Sequence, residues 1–160
     1  MNPFAIVERL DVIENRRDMA LKVGADTTFD PVTHDIPKEI SHGTDGRGAD
    51  FAIVATGNPK AIQQAVASVR KGGKVTLFGA PPRGTMVSMD VSQLFLREIG
   101  FQTSYSTSET EMRIALELIA TGRIRPSLLI THRLPLGRVT EAIRLAESGK
   151  EAVKVIVQNQ

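Results

Sequence analysis

Short apolar runs alternate with helix-length segments along all 160 residues, and that alternation does most to limit the fold. Residues 4–10 (FAIVERL) read as a strand. Residues 14–23 read as a helix with Met19, Ala20 and Val23 on one face and Gly24 as its stop. A short strand at 26–30 and a weak helix at 35–42 follow. A turn at 44–48 leads into the apolar strand 49–55 (ADFAIVA), punctuated by Thr56, Gly57, Asn58 and Pro59. The spacing of Ile62, Ala65, Val66 and Val69 predicts a helix over 59–70, with Pro59 in its first turn. Lys71, Gly72 and Gly73 turn the chain back into a strand at 74–78, which Gly79, Pro81 and Pro82 end. A short strand at 86–89, a helix to Arg97 capped by Asp90 or Ser92, and a strand at 99–104 come next. Ser108 and Glu111 form a capping box for a helix to Thr121. Either Ile114, Leu118 and Thr121 or Leu116 and Ile119 form its buried face. The remaining chain reads as a strand at 129–134, a helix at 138–148 stopped by Gly149, and a strand at 152–157.

Strands alternating with helices in this way specify an α/β fold with a parallel sheet and right-handed crossovers. The core is built of Val, Ile, Leu and Ala, with no Trp and one Tyr, which suits strands covered on both faces. A net charge of +2 gives no reason to expect nucleic acid or an anionic membrane as a partner. The chain has no cysteine, which excludes disulfides and thiolate nucleophiles and removes the usual zinc ligands. No signal peptide and no apolar run near 18 residues is present, so a cytoplasmic protein is expected.

Asp11 closes the first strand, and Arg16 follows five residues later. In a dinucleotide-binding fold an acidic group at that place accepts hydrogen bonds from the adenosine ribose and repels a 2′-phosphate. The alternative is an acidic residue that merely favours the N-terminus of the next helix, an effect worth roughly 0.3–1 kcal/mol. Thr56 with Gly57, and Phe78 with Gly79 and Ala80, sit just past the carboxyl ends of strands, where open α/β sheets bind ligands. Glycine there lets backbone approach a flat ring; ordinary turn chemistry asks for the same residues. His34, His42 and His132 show no metal spacing, and no nucleophile elbow or paired carboxylates stand out. The residues thus describe a nucleotide-binding scaffold with no catalytic group and no metal ligand. The Gly-rich phosphate loop that belongs about 20 residues before such an aspartate is nowhere in the sequence.

Taken in order, residues 11–17 (DVIENRR), 20–26 (ALKVGAD), 44–50 (TDGRGAD), 55–59 (ATGNP), 69–75 (VRKGGKV), 78–80 (FGA), 129–135 (LITHRLP), 148–150 (SGK) and 154–156 (KVI) resemble the second half of a medium-chain dehydrogenase/reductase of the zinc alcohol/polyol dehydrogenase type. The resemblance implies reversible hydride transfer between a small-molecule alcohol or polyol and a nicotinamide cofactor. It implies that Asp11 and Arg16 hold the adenosine ribose, that Thr56 and Gly57 border the adenine, that the backbone of Phe78, Gly79 and Ala80 lines the nicotinamide, and that Lys154 lies near the pyrophosphate. NAD would be preferred to NADP because Asp11 faces a 2′-phosphate, although Arg9, Arg16 and Arg17 lie close in sequence and act against that repulsion. Residues 1–104 would form a partial Rossmann-type domain, and 105–160 the segment that returns to the catalytic domain.

The family's zinc ligands and Gly-rich loop lie upstream of the matching stretches, so zinc is expected only in an N-terminal part. The family's first strand would stand at the centre of the doubly wound sheet, between the strands at 4–10 and 49–55. Such a strand buries about four apolar side chains at roughly 1.5–3 kcal/mol each, against a net domain stability of about 5–15 kcal/mol. The expectation is that the sheet re-pairs, that another chain fills the place, or that the sequence is part of a longer protein. Three functional readings follow: the C-terminal part of a dehydrogenase, inactive in isolation; one chain of a split enzyme; or a non-catalytic nucleotide-binding or assembly module. A homo-oligomer or a complex with an N-terminal half is expected.

Overall fold

The computed structural model describes residues 6–159. In chain order the elements are β1 (Glu8–Leu10), α1 (Glu14–Lys22), β2 (Thr27–Phe29), α2 (Ile36–Gly43), β3 (Ala49–Val54), α3 (Pro59–Ser68), β4 (Val69–Leu77), α4 (Val91–Leu96), β5 (Gly100–Thr103), α5 (Glu109–Ala120), β6 (Ile130–Pro135), α6 (Val139–Ser148) and β7 (Lys154–Gln158). All strand pairings are parallel, as the alternation requires. The first two residues of the strand expected at 4–10 lie outside the described residues. The chain divides into two compact units, one of residues 1–33 with 108–160 and one of residues 34–107.

In the first unit β1 pairs with β2, Arg9 opposite Thr28, and β6 pairs with β7. Val7 and Asp26 extend the β1–β2 ladder, each main-chain nitrogen donating at 2.8 Å, one to a carboxylate and the other to a main-chain oxygen. Leu134, Ala142 and Ala152 are its buried apolar side chains. The apolar faces expected on its helices are covered only in part: Met19 and Ala20 of α1 are half-buried, and α6 buries Ala142. Val23, Ile114, Leu116 and Ile119 are exposed, and neither α1 nor α5 buries a residue. Amphipathic spacing marks a face suited to burial; α1 packs along β1 and β2 without fully burying a residue, and the apolar side chains of α5 other than the half-buried Leu118 stay exposed. The capping box itself forms: Glu111 N donates to Ser108 Oγ, and Ser108 N donates to Glu111 Oε2 at 2.6 Å.

In the second unit β4 is the centre of a three-stranded sheet, β3 on one side and β5 on the other. Its core joins Val54, Ile62, Val69, Val75 and Ile99, with Ala65, Val66, Val87 and Met89 packed against it. Asp35 caps α2, which buries Ile36 and Ile40. Two expectations fail here. Residues 69–73 are not the end of a helix and a turn but the bulged start of β4: Val69 faces Ala49, Lys74 faces Phe51, and Gly72 takes φ +70° inside the bulge. Arg97 holds this irregular stretch, donating from Nη1 to Val66 O at 3.3 Å and from Nη2 to Val69 O, while Arg97 O accepts from Gly72 N at 2.8 Å. No strand forms at 86–89 either. Ser88 gives its carbonyl oxygen to Gln63 Nε2 at 2.8 Å, so the segment is tied to α3 rather than to a sheet.

On one edge β1 meets β2, and on one edge β3 meets β4. The opposite edge of each carries no strand among the described residues.

Candidate functional site

The residues singled out from the sequence fall in both units: Asp11, Thr56 with Gly57, and Phe78 with Gly79 and Ala80 follow the carboxyl ends of parallel strands, whereas Arg16 lies in α1 and Lys154 opens β7. In the first unit Asp11 follows β1 directly. Its Oδ1 accepts from Ile13 N at 3.1 Å, which bends the chain into α1, and its Oδ2 accepts from Arg9 Nη2 at 3.4 Å. The dipole-stabilising and ligand-holding readings of Asp11 are therefore not exclusive. One oxygen serves the turn, while the other meets the exposed Arg9 guanidinium and retains lone pairs for a further donor. The Asp11 side chain is 10% exposed against 48% for Arg9, so the carboxylate is fixed and the guanidinium is the movable partner.

Arg17 fixes the same corner from beneath. Its Nη1 donates to Asp11 O at 2.7 Å and lies 3.6 Å from Asp30 Oδ2, at the end of β2. Spacing gave no hint of this role, because Arg17 acts on the main chain of Asp11 and not on its carboxylate. Arg16 does not reach across to Asp11 through any hydrogen bond. Its guanidinium covers Gly149, where an added Cβ would stand 2.5 Å from Nη2. Gly149 ends α6 at φ +59°, and it is this left-handed angle that favours glycine, since the Arg16 tip can move aside. Asn15 Nδ2 donates to Glu151 O at 3.2 Å and ties the start of α1 to the same turn. Lys154 opens β7 with its side chain exposed. Its carbonyl oxygen accepts from Thr131 Oγ1 at 3.2 Å. Burial alone pushes the Glu8 carboxyl in β1 above the usual carboxylate range.

In the second unit the loops after β3 and β4 are pressed together. Phe78 N and Gly79 N both donate to Val54 O, at 2.9 and 2.8 Å. A Cβ on Gly79 would lie 2.3 Å from Thr56 N, and one on Gly57 would lie 2.7 Å from Pro81 Cα. Neither glycine has positive φ. Both are needed because two loops cross backbone to backbone, a reason the sequence alone did not separate from turn chemistry. Thr56 Oγ1 accepts from Asn58 N at 3.3 Å, and Asn58 Oδ1 caps α3 through Lys60 N at 3.0 Å. Phe78 leaves the loop 65% exposed, and Ala80 is exposed beside it. The shallow hollow lined by Lys38, Ser41, His42 and Asp45 and the one lined by Gln63, Met89, Gln93 and Arg97 contain none of these residues.

Among the described residues no group of three His, Asp or Glu side chains is placed to hold a metal ion. No helix among them is long and apolar enough to cross a membrane. A zinc ion therefore finds no donor set on these residues. A carboxylate fixed at a strand end, as at Asp11, suits a ribose hydroxyl.

Comparison with known proteins gives the same direction. The model of a family described as zinc-binding dehydrogenase matches residues 5–121. L-threonine 3-dehydrogenase of Symbiobacterium thermophilum is 31% identical over 156 residues, covering 95% of this chain and 44% of that enzyme. D-arabitol-phosphate dehydrogenase of Enterococcus avium is 30% identical, covering 98% of this chain and 44% of that enzyme. A solved structure of a candidate zinc-binding dehydrogenase from Sinorhizobium meliloti, bound to NADP, superposes with a TM-score of 0.83 at 26% identity, covering 96% of this chain and 45% of that one. The chain spans less than half the length of the relatives it matches, and it corresponds to their C-terminal part. The parallel α/β architecture, the ordered motifs and these matches agree: the chain belongs to the zinc-binding dehydrogenase family.

Proposed function

We propose that this chain supplies the cofactor-binding portion of a zinc-type alcohol or polyol dehydrogenase, and that it carries no hydride-transfer activity by itself. The observation that carries the reading is the corner at Asp11, a carboxylate fixed at a strand end by Ile13 N while Arg17 grips its main chain. In the first unit Asp11 and Arg16 hold the adenosine ribose and Lys154 meets the pyrophosphate. In the second unit Thr56 and Gly57 border the adenine, and the backbone of Phe78, Gly79 and Ala80 lines the nicotinamide. NAD is preferred to NADP on this reading, since Asp11 disfavours a 2′-phosphate. Residues 1–104 act as the partial Rossmann-type domain and 105–160 as the return segment. The protein works in the cytoplasm, as a homo-oligomer or with an N-terminal half that brings the zinc and the phosphate loop. When bound, zinc polarises the alcohol oxygen; no residue of this chain takes part in that step.

The test is complementation. The chain is assayed for alcohol-dependent NAD reduction alone, and again after refolding with the N-terminal, zinc-binding half of a threonine or polyol dehydrogenase. Activity only in the mixture supports the proposal. Turnover by the chain alone would overturn it.

A further inference from the structure

The adenosine corner contains a cation that the reading above does not use. Arg9 and Asp11 lie two residues apart, so their side chains project on the same face of β1 and its continuation. Of the three arginines near Asp11, Arg17 is turned onto the Asp11 main chain and Asp30, and Arg16 covers Gly149. Arg9 alone meets the carboxylate. Its contact is long, 3.4 Å from Nη2 to Oδ2, and Asp11 is the only hydrogen-bond partner of its guanidinium among the described residues. Half of its side chain is exposed, so the guanidinium can swing without disturbing a core.

We infer that Arg9 is a specificity-determining residue for the adenosine 2′ position, making this corner tolerant of a 2′-phosphorylated dinucleotide. This rests on the reading of Asp11 as the ribose-holding group. A bare carboxylate would meet a 2′-phosphate as one anion meets another. With Arg9 beside it the pair is neutral, and the guanidinium can rotate from Asp11 to a phosphate oxygen, which suits its planar set of donors. With a 2′-hydroxyl present, Arg9 stays on Asp11 and the other lone pairs of the carboxylate accept from the ribose. Asp11 thus keeps the preference for the unphosphorylated form, and Arg9 keeps that preference small.

The test uses the whole chain, isotopically labelled, with 5′-AMP and adenosine 2′,5′-bisphosphate as probes in NMR titrations read at the amides of residues 9–17. In the unaltered chain the two probes are expected to bind within about threefold of each other. In Arg9→Gln the bisphosphate should weaken by about tenfold or more while 5′-AMP changes by less than about twofold. Arg9→Lys keeps the charge, and should lie between the two. Amide dispersion in the free spectra reports that each variant is folded. Equal weakening of both probes in Arg9→Gln, or no weakening of the bisphosphate, overturns the role of Arg9 and leaves the ribose reading standing. If neither probe moves these amides in the unaltered chain, the ribose reading fails and the inference falls with it.

Discussion

Gly79 lies so close to Thr56 that a Cβ placed on it would stand 2.3 Å from the Thr56 main-chain nitrogen. The two loops that follow β3 and β4 therefore meet through bare backbone. Gly79→Ala must push them apart, and with them the paired hydrogen bonds from Phe78 and Gly79 to Val54 O. The expected cost is about 2 kcal/mol or more, as for other overpacked sites, measured by urea unfolding followed by circular dichroism. Gly137→Ala serves as the control, since nothing lies within 4 Å of that position and its φ is unremarkable. A loss under about 0.5 kcal/mol for Gly79→Ala would show that the loops separate freely.

Asp50 titration should appear in the stability of the second unit. Its Oδ1 accepts from Arg70 Nε at 2.6 Å and Arg47 Nη1 at 2.9 Å, and its Oδ2 from Arg47 Nη2 at 2.8 Å. The Arg70 hydrogen bond first, then that of Arg47, holds the carboxyl below its ordinary value of 3.8. A depressed folded-state pKa stabilises the protein above the unfolded value, and that contribution is lost as pH falls through the folded one. The advantage of the natural chain over Asp50→Asn should be constant at neutral pH and shrink once pH drops below 3.8. Parallel urea titrations of the two proteins across that range check it; an unchanging difference would refute the linkage.

Much of this molecule was readable before its structure. Asp90 and Ser108, both cap candidates in the sequence, cap the helices that follow them. Local hydrogen bonding of this kind is written in three or four consecutive residues. What could not be read depends on partners far apart in sequence. The bulge at 69–73 is held by Arg97, and the Asp11 corner is held by Arg17 together with Asp30. Spacing identifies a strand end with an acid, but not which of three neighbouring arginines will face it. The apolar spacing of α5 marks a face but says nothing of what covers it, and Ile114, Leu116 and Ile119 stay exposed. Glycine was the most ambiguous signal. Gly57 and Gly79 answer to a loop crossing, and Gly149 to a positive φ.

Dinucleotide binding by the chain alone should be weak. No Gly-rich phosphate loop occurs in the sequence, so the pyrophosphate lacks the helix N-terminus that ordinarily receives it. Ribose and ring contacts then act with little help. Calorimetry with NAD is expected to give a millimolar dissociation constant or no heat, about −4 kcal/mol or weaker. NADP should bind no more tightly than NAD, whatever the margin. Micromolar binding of either would mean that these residues form a far more complete site than proposed.

Association is the last expected outcome, and the edge of β5 is where it should begin. β5 pairs only with β4, all four of its residues are exposed, and its outer edge carries no strand among the described residues. An open edge of this kind offers unpaired N–H and C=O groups to another strand. A second copy related by a two-fold axis satisfies both edges at once, which makes the contact self-complementary. The open edges of β1 and β3, and the exposed Ile114, Leu116 and Ile119 of α5, add surface that favours larger species. Light scattering should therefore report at least twice the 17.4 kDa of one chain. Phe101→Lys, which puts a charge on the β5 edge, should lower that mass without changing the circular dichroism spectrum. If the unaltered chain runs as a monomer at micromolar concentration, the edge-pairing argument is wrong. If Phe101→Lys associates as before, β5 is not the contact, and the edges of β1 and β3 are the next to test.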